Sequence, residues 1–264
     1  MKELVQFAKA AAVQAGDMIV QERKQNSLQR DFKGGHELVT QADLKADALI
    51  TGLIRETFPD HLIISEELAP DIGDVSSLQQ DLWIVDPIDG TVNYAHGHPQ
   101  SAVSIAHVRN QKIVAGVVYN PFTSEMFWAQ LGGGAFLNDR PIQVAQESDP
   151  RRAIIATGFP YDKATLEPML NRVAQILREC ADIRRLGSAA LDICWVAAGR
   201  LDGFYESLSL WDFAAAQLIA REAGAQYGHF SAVPTGIDPQ FHCDDILVAN
   251  SALFPRLRDI LQKA

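Results

Sequence analysis

Between Leu82 and Leu137 the chain carries five apolar runs separated mostly by short turns, and this close succession constrains the fold more than any other feature. The runs are Leu82 to Val85, Ala102 to Val108, Ile113 to Tyr119, Glu125 to Leu131 and Ala135 to Leu137. Asn110-Gln111, Asn120-Pro121 and Gly132-Gly133-Gly134 punctuate them, and such residues mark turns. Parallel strands need a crossover of a dozen residues or more, so these connections predict antiparallel hairpins rather than βαβ units.

Helical periodicity flanks this block. Leu4, Ala8, Ala11, Ala15 and Ile19 fall near one face, while Glu3, Lys9 and Asp17 interrupt the stretch. It therefore reads as an amphipathic helix and not as a signal peptide. Ala46, Leu49, Ile50, Leu53 and Ile54 mark a second helix, stopped by Pro59, and a short strand from Leu62 to Ile64 runs into Glu66 and Glu67. In the second half, Ala153 to Thr157 reads as a strand. Leu166, Met169, Leu170, Val173 and Leu177 mark a helix, and Leu191, Cys194, Trp195 and Ala198 another that ends near Gly199. Phe213 to Ala223 is apolar nearly all round, which predicts a buried helix with Gly224 at its end. Asp245 to Ala249 is a late strand.

No linker, repeat or low-complexity run divides the chain. The expectation is one α+β domain over 1–264, with helices and an antiparallel sheet over about 1–145 and a mixed sheet with helices over 146–264. At 47% hydrophobic, the 264 residues supply ample core. The formal net charge of -10 disfavours nonspecific binding to nucleic acid or an anionic membrane. A small phosphate remains compatible if metal ions or backbone N–H groups hold it. Three scattered cysteines, Cys180, Cys194 and Cys243, form neither a disulfide framework nor a CxxC pair and point to a reducing, cytoplasmic setting. No apolar stretch reaches the ~20 residues of a membrane span.

Several carboxylates stand where they can serve chemistry. Asp86-Pro87-Ile88-Asp89-Gly90-Thr91 follows a strand. Pro87 keeps Asp86 extended, Gly90 lets a ligand approach the backbone, and two carboxylates three residues apart can share one side of a turn. Hard cations such as Mg²⁺ favour oxygen clusters of this kind, although Asp-Pro and Asp-Gly also occur in plain turns. Glu66-Glu67 is either a solvated acidic loop or a carboxylate delivered at a sheet edge. Asp212 suits an N-cap, but its apolar surroundings would also call for a cation partner. Thr40-Gln41-Ala42-Asp43 has capping-box spacing, with a hydroxyl-orienting role for Asp43 as the alternative. His96 and His98 lack a third ligand at metal spacing and read as solvated. No Gly-x-Ser-x-Gly elbow supports a serine nucleophile, and the triple glycine lacks the Gly-Lys-Ser/Thr of a phosphate loop.

These residues together resemble the inositol monophosphatase family. Trp83 through Tyr94, with the core Asp86-Pro87-Ile88-Asp89-Gly90-Thr91, resembles its first signature, and Trp211-Asp212-Phe213-Ala214-Ala215-Ala216 leading to Glu222-Ala223-Gly224 its second. Ile64-Ser65-Glu66-Glu67, Leu38-Val39-Thr40-Gln41-Ala42-Asp43 and Arg185-Leu186-Gly187-Ser188-Ala189-Ala190 resemble three further motifs, all in the family's order. Ala156-Thr157-Gly158-Phe159-Pro160 and Arg184 through Ser188 are similar to the bacterial extragenic-suppressor branch.

The resemblance implies a layered α/β/α/β/α sandwich of the type shared with fructose-1,6-bisphosphatase, homodimeric, catalysing Li⁺-sensitive, Mg²⁺-dependent phosphomonoester hydrolysis with two or three ions per site. Glu66, Asp86 and the Ile88 carbonyl would hold the first ion, and Asp86, Asp89 and Asp212 the second. A weaker third would lie near Glu66 and Glu67. Gly90 and Thr91 N–H groups would cradle the phosphate near Lys33. Asp43 would accept a hydrogen bond from Thr91, which with Glu66 would orient the attacking water. Gly187, Ser188, Ala189 and Glu206 would line the alcohol pocket for a small phosphorylated substrate, with myo-inositol 1-phosphate expected. A sugar phosphate or a 3′-phosphonucleotide is the alternative. The branch also implies a partnership with transcription complexes. Ser65 and Leu68 depart from the common pattern, and the segment from Glu206 to Asp212 is one residue shorter than usual.

Overall fold

A computed structural model describes residues 1–264 except 26–29, 34–36, 69–74, 76–77 and 160–165, with backbone alone for 30–33 and 37–39. The first half runs α1 (Lys2–Gln25), β1 (Arg30–Lys33), β2 (Glu37–Thr40), α2 (Gln41–Thr57), β3 (Leu62–Ser65), β4 (Leu82–Asp89), α3 (Thr91–His96), β5 (Ala102–Arg109), β6 (Lys112–Asn120), β7 (Glu125–Gln130), β8 (Ala135–Leu137) and β9 (Arg140–Pro141). The second half runs β10 (Ile154–Thr157), α4 (Leu166–Glu179), β11 (Asp182–Arg184), α5 (Ala189–Ala197), β12 (Gly203–Glu206), α6 (Leu210–Glu222), β13 (Gln226–His229), β14 (Ile246–Ala249) and α7 (Phe254–Gln262).

The apolar runs become a seven-stranded sheet in sequence order from β3 to β9. Every pair in it is antiparallel except β3 with β4. The second sheet is mixed, in the order β11-β10-β12-β14-β13. β10 runs parallel to β11 and β12, and β14 antiparallel to β12 and β13.

Five layers follow from how the apolar faces are covered. One face of the large sheet packs on α1 and α2, through Ala8, Ala15, Ile19, Ile50 and Ile54 against Trp83, Val85 and Val103. Its other face packs on α5 and α6, through Leu191, Cys194, Phe213 and Ile219 against Leu82, Ile84 and Ala106. The same helices meet Phe204, Ile246 and Val248 of the second sheet. That sheet's outer face packs on α4 and α7 through Met169, Ile176, Leu257 and Leu261. Because both faces of β4 are covered, all eight of its residues are buried. This explains why the strand reads as a continuous apolar run and not as an alternation.

The structure corrects several expectations. Strand β4 continues through Asp89, so Asp86 and Asp89 lie on a strand and not on a turn after it. Helix α6 starts at Leu210, with Ser209 as its cap, so Asp212 lies inside the first turn and is not the N-cap. Leu170 and Leu177 of α4 face solvent, and the buried stripe is Met169 and Ile176. Helix α3, the β1–β2 hairpin and the short strands β11, β12 and β13 have too few apolar residues to stand out in the sequence.

Helix α6 lies close enough to the large sheet to leave no room for a side chain on β6. A Cβ placed on Gly116 would stand 2.6 Å from the Ala215 carbonyl oxygen. Overpacking a fixed contact of this kind costs about 1–3 kcal/mol. Gly116→Ala should therefore lower unfolding stability by roughly that amount in urea titration, with the denaturant slope unchanged.

Candidate active site

The site forms where β4 loses its regular register. Asp86 pairs with Ser104 and Asp89 with Ala102, so three steps on β4 match two on β5. Residues three apart on a regular strand point to opposite faces; the extra residue of a bulge resets the alternation. Trp83 and Val85 face α1 and α2, and after the bulge Ile88 does too. Asp89 thereby joins Asp86 on the face toward α5 and α6. Pro87, which cannot donate to a ladder, is tolerated in this central strand because it sits in the bulge.

Local hydrogen bonds then fix each carboxylate. Asp86 Oδ1 accepts from the Ile88 N–H at 3.0 Å. Asp89 accepts from Ser188 Oγ and from the Ala189 and Ala190 N–H groups at 3.2 and 2.8 Å. A residue of the first half is thus bound to the start of α5 in the second. Gly90 adopts φ 90°, and a Cβ on it would meet the Gln100 and Gly187 carbonyl oxygens at 2.8 and 2.9 Å. Only glycine fits there. Asn93 Nδ2 clamps the same junction, donating to Gln100 O at 2.8 Å and Leu186 O at 2.7 Å.

Two further acids arrive from other elements. Glu66 follows β3, with its N–H bonded to Val85 O at 3.1 Å. Asp212 occupies the third position of α6, where its Oδ2 accepts the Ser209 N–H at 2.8 Å. Ligand oxygens of Asp86, Asp89 and Asp212 lie within 4.8 Å of one another. The capping box engages Asp212 Oδ2, and a carboxylate oxygen of Asp212 also falls within the acidic cluster. Glu66, Asp86, Asp89, Gly90, Thr91 and Asp212 all line one cavity of about 340 Å³. Glu67 is half-buried beside this group, and Lys33 lies on β1 with its side chain outside the described residues.

Thr91 connects the carboxylates to α2. Its hydroxyl lies 3.0 Å from Asp43 Oδ1 and 3.1 Å from Ile88 O. Asp43 in turn accepts the Thr40 N–H at 2.8 Å and the Thr40 hydroxyl. The capping box expected for Thr40 and Asp43 is present, and the free oxygen of Asp43 orients Thr91.

Crowding and burial shape the electrostatics. Burial, reinforced by Glu66, Asp89 and Asp212, pushes the Asp86 carboxyl well above its usual range. Burial also raises Asp89 to about 6, against the opposing bonds from Ser188 and Ala190, and Asp43 to about 6. Neither Asp86 nor Asp89 forms an ion pair with a Lys or Arg among the described residues. An all-oxygen, buried and anionic donor set of this kind suits a hard divalent cation such as Mg²⁺.

Ser188, Ala189 and Glu206 also line the cavity. Glu206 ends β12, and a Cβ on Gly158 would overlap its carboxylate at 1.9 Å, so a glycine opposite makes room for the acid. Burial, then Asp212, raises Glu206 to about 8. Arg185 and Asp192 also line this cavity; Arg185 opens the motif that runs to Ala190 and Asp192 lies two residues beyond it, and the resemblance gives neither a role. Arg184 instead bonds Asp182, while Arg185 lies over the Phe159 ring at 5.6 Å. Pro160 falls outside the described residues.

A second cluster, His61, Asp81 and His107, sits at the opposite end of the large sheet. Arg109 Nε donates to Asp81 at 2.8 Å and Trp83 Nε1 donates to His61 Nδ1 at 3.1 Å, so the chain supplies its own cation there. His96 and His98 are exposed. No helix among the described residues is long and apolar enough to cross a membrane.

With this geometry in place, comparison with known proteins gives consistent results. The inositol monophosphatase family matches residues 1–262, and the chain belongs to it. It is 38% identical over 272 residues to the Nus factor SuhB of Escherichia coli strain K12, covering 100% of this chain and 99% of that protein. The extragenic suppressor protein suhB from Bartonella henselae superposes with a TM-score of 0.90 at 38% identity, covering 99% of each chain. SaIMPase-II with inositol monophosphate bound superposes with a TM-score of 0.83 at 29% identity, covering 99% of this chain and 94% of that one. These similarities, with the acidic cluster, support a metal-dependent phosphatase and the expected layered fold.

The raised carboxyls make a stability prediction. An acid whose folded pKa lies above its unfolded value destabilises the fold as it ionises. The loss begins near the ordinary carboxylate range and continues until the folded values are passed, about 6 for Asp43 and Asp89 and about 8 for Glu206. In EDTA the melting temperature should fall between pH 5 and pH 8. Excess Mg²⁺ should reverse that slope, because a cation held among these acids would favour their ionised forms. Calorimetry at both pH values, with and without Mg²⁺, checks this.

Proposed function

We propose that the chain is a Mg²⁺-dependent phosphomonoesterase that hydrolyses myo-inositol 1-phosphate to inositol and phosphate. The observation that carries this reading is the convergence of Asp86, Asp89 and Asp212 within 4.8 Å, beside the Thr91–Asp43 pair. Glu66, Asp86 and the Ile88 carbonyl would hold one ion, and Asp86, Asp89 and Asp212 a second. Glu66 and Glu67 would be near a weaker third. Bound there, the ions lower the pKa of a coordinated water and neutralise phosphoryl charge.

The chain's own groups do the rest. Asp43 takes the Thr91 hydrogen, which leaves a Thr91 lone pair to accept from the attacking water, while Glu66 accepts the water's other hydrogen. The Gly90 and Thr91 N–H groups cradle the phosphate near Lys33. Ser188, Ala189 and Glu206 face the departing alcohol. The family's dimeric state and lithium sensitivity belong to the same reading.

The test is phosphate release from myo-inositol 1-phosphate with and without Mg²⁺, with a sugar phosphate and a 3′-phosphonucleotide in parallel. Asp89→Asn should reduce turnover by about a hundredfold or more, at the upper end of what disturbing a metal site does, while circular dichroism still reports a folded protein. Turnover that survives in this variant removes Asp89 from the site; a strong preference for the nucleotide changes the substrate.

A second reading is supported by the name Nus factor carried by full-length relatives. On this reading the chain also joins a bacterial transcription complex through protein contacts, since a net charge of -10 disfavours direct binding to nucleic acid. Pull-down from a bacterial extract should recover transcription proteins with both the native chain and Asp89→Asn. Recovery of none with either counts against the role.

A further inference from the structure

Helix α5, from Ala189 to Ala197, is apolar apart from Asp192. Asp192 is 2% exposed, and its Oδ1 is buried without a hydrogen-bond partner among the described residues. The residue nonetheless lines the cavity that holds Asp86, Asp89 and Asp212.

The fold gives no use for an acid at this point. Asp43 and Asp212 also lie in the first turn of a helix, and each bonds back to the amide before it, at Thr40 and Ser209. Asp192 stands one position further along its helix than those two, out of register for a capping box, and makes no such bond among the described residues. The residue before its helix, Ser188, donates its hydroxyl to Asp89 instead. A buried polar atom left unmet is unfavourable, and a leucine would avoid that cost. Groups that weaken a fold in this way concentrate where a ligand completes them.

Position indicates which ligand. Asp192 shares the cavity lining with Asp89, Glu206 and Arg185. Asp192 and Glu206 add two carboxyl groups to the cavity lining. Adjacent hydroxyls on an alcohol ring can satisfy both, and an aryl or simple alkyl group can satisfy neither.

We infer that Asp192 is a specificity-determining residue of this pocket, meeting hydroxyls of the departing alcohol and selecting a polyol phosphate over one whose alcohol half lacks hydroxyls. The inference rests on reading the cavity as a phosphomonoesterase site. It adds a hydrogen-bonding group beyond those that the motifs supply. A site built to hydrogen-bond a hydroxyl rejects analogues without one far more strongly than an apolar wall does.

The experiment compares the native chain, Asp192→Asn and Asp192→Ala, all loaded with Mg²⁺. Three quantities are read: kcat/KM for myo-inositol 1-phosphate and for 4-nitrophenyl phosphate, the melting temperature, and myo-inositol binding by ligand-observed NMR. The ratio of the two kcat/KM values should fall at least tenfold in Asp192→Ala and less in Asp192→Asn, which keeps one acceptor. Melting temperatures should stay level or rise. An unchanged ratio, including equal losses on both substrates, overturns the inference, and a drop of several degrees with such a ratio marks a structural role. If the native chain hydrolyses neither ester, the phosphatase reading fails by itself. The binding arm then decides: inositol bound by the native chain and lost in Asp192→Ala sustains the polyol site, and no binding, or equal binding, overturns it.

Discussion

The bulge between Asp86 and Asp89 governs this molecule's chemistry. Without the extra residue the two carboxylates would point to opposite faces of the sheet, one toward α1 and α2 and the other toward α5 and α6. With it, both meet Asp212 in the middle layer. Every acid added to that space raises the repulsion among the others, so the arrangement holds only because the surrounding packing is rigid. The close contact of α6 with β6 and the exclusion of any side chain at Gly90 supply that rigidity. The site is therefore a strained charge cluster inside a well-packed frame, and divalent cations are the natural relief.

The hydrogen bonds at the site serve two purposes at once. Asp43 caps α2 with one oxygen and orients Thr91 with the other. Asp212 accepts the Ser209 amide with one oxygen and places a carboxyl oxygen within 4.8 Å of those of Asp86 and Asp89. Asp89 receives the start of α5 while lying among the acids. Such dual use ties the position of each charged group to the beginning of a helix, where backbone geometry is well defined. The two halves of the chain meet at these same bonds, through Asp89 with Ser188 and Asn93 with Leu186.

Much of this was legible in the sequence, for physical reasons. Buried helices and central strands announce themselves by continuous or periodic apolar residues, so α1, α2, α6 and the run from β4 to β7 could be read directly. The acids could be listed by motif, and the family resemblance gave them an order. What could not be read was phase. The bulge's mark in the sequence is Pro87, and an Asp-Pro step reads equally well as a turn after a strand that ends at Val85. The start of α6 was hidden by Leu210 and Trp211, which look like loop residues until Ser209 is seen to cap them. The exposed Leu170 and Leu177 misled because a helix at the surface can present apolar residues on more than one side. A single acid in an apolar helix, such as Asp192, reads in sequence as a first-turn charge, and only the lack of a partner for its Oδ1 among the described residues distinguishes it.

The middle helices cover both sheets, and they come late in the chain. The large sheet is complete by Pro141, yet the face carrying Leu82, Ile84 and Ala106 is covered by residues from Ala189 to Glu222. During synthesis from the N-terminus, some fifty to eighty residues must follow before that apolar surface can be buried. The half-made protein therefore presents a broad, sticky sheet to its surroundings. Its dependence on chaperones should be greatest in that interval, well before any substrate can bind.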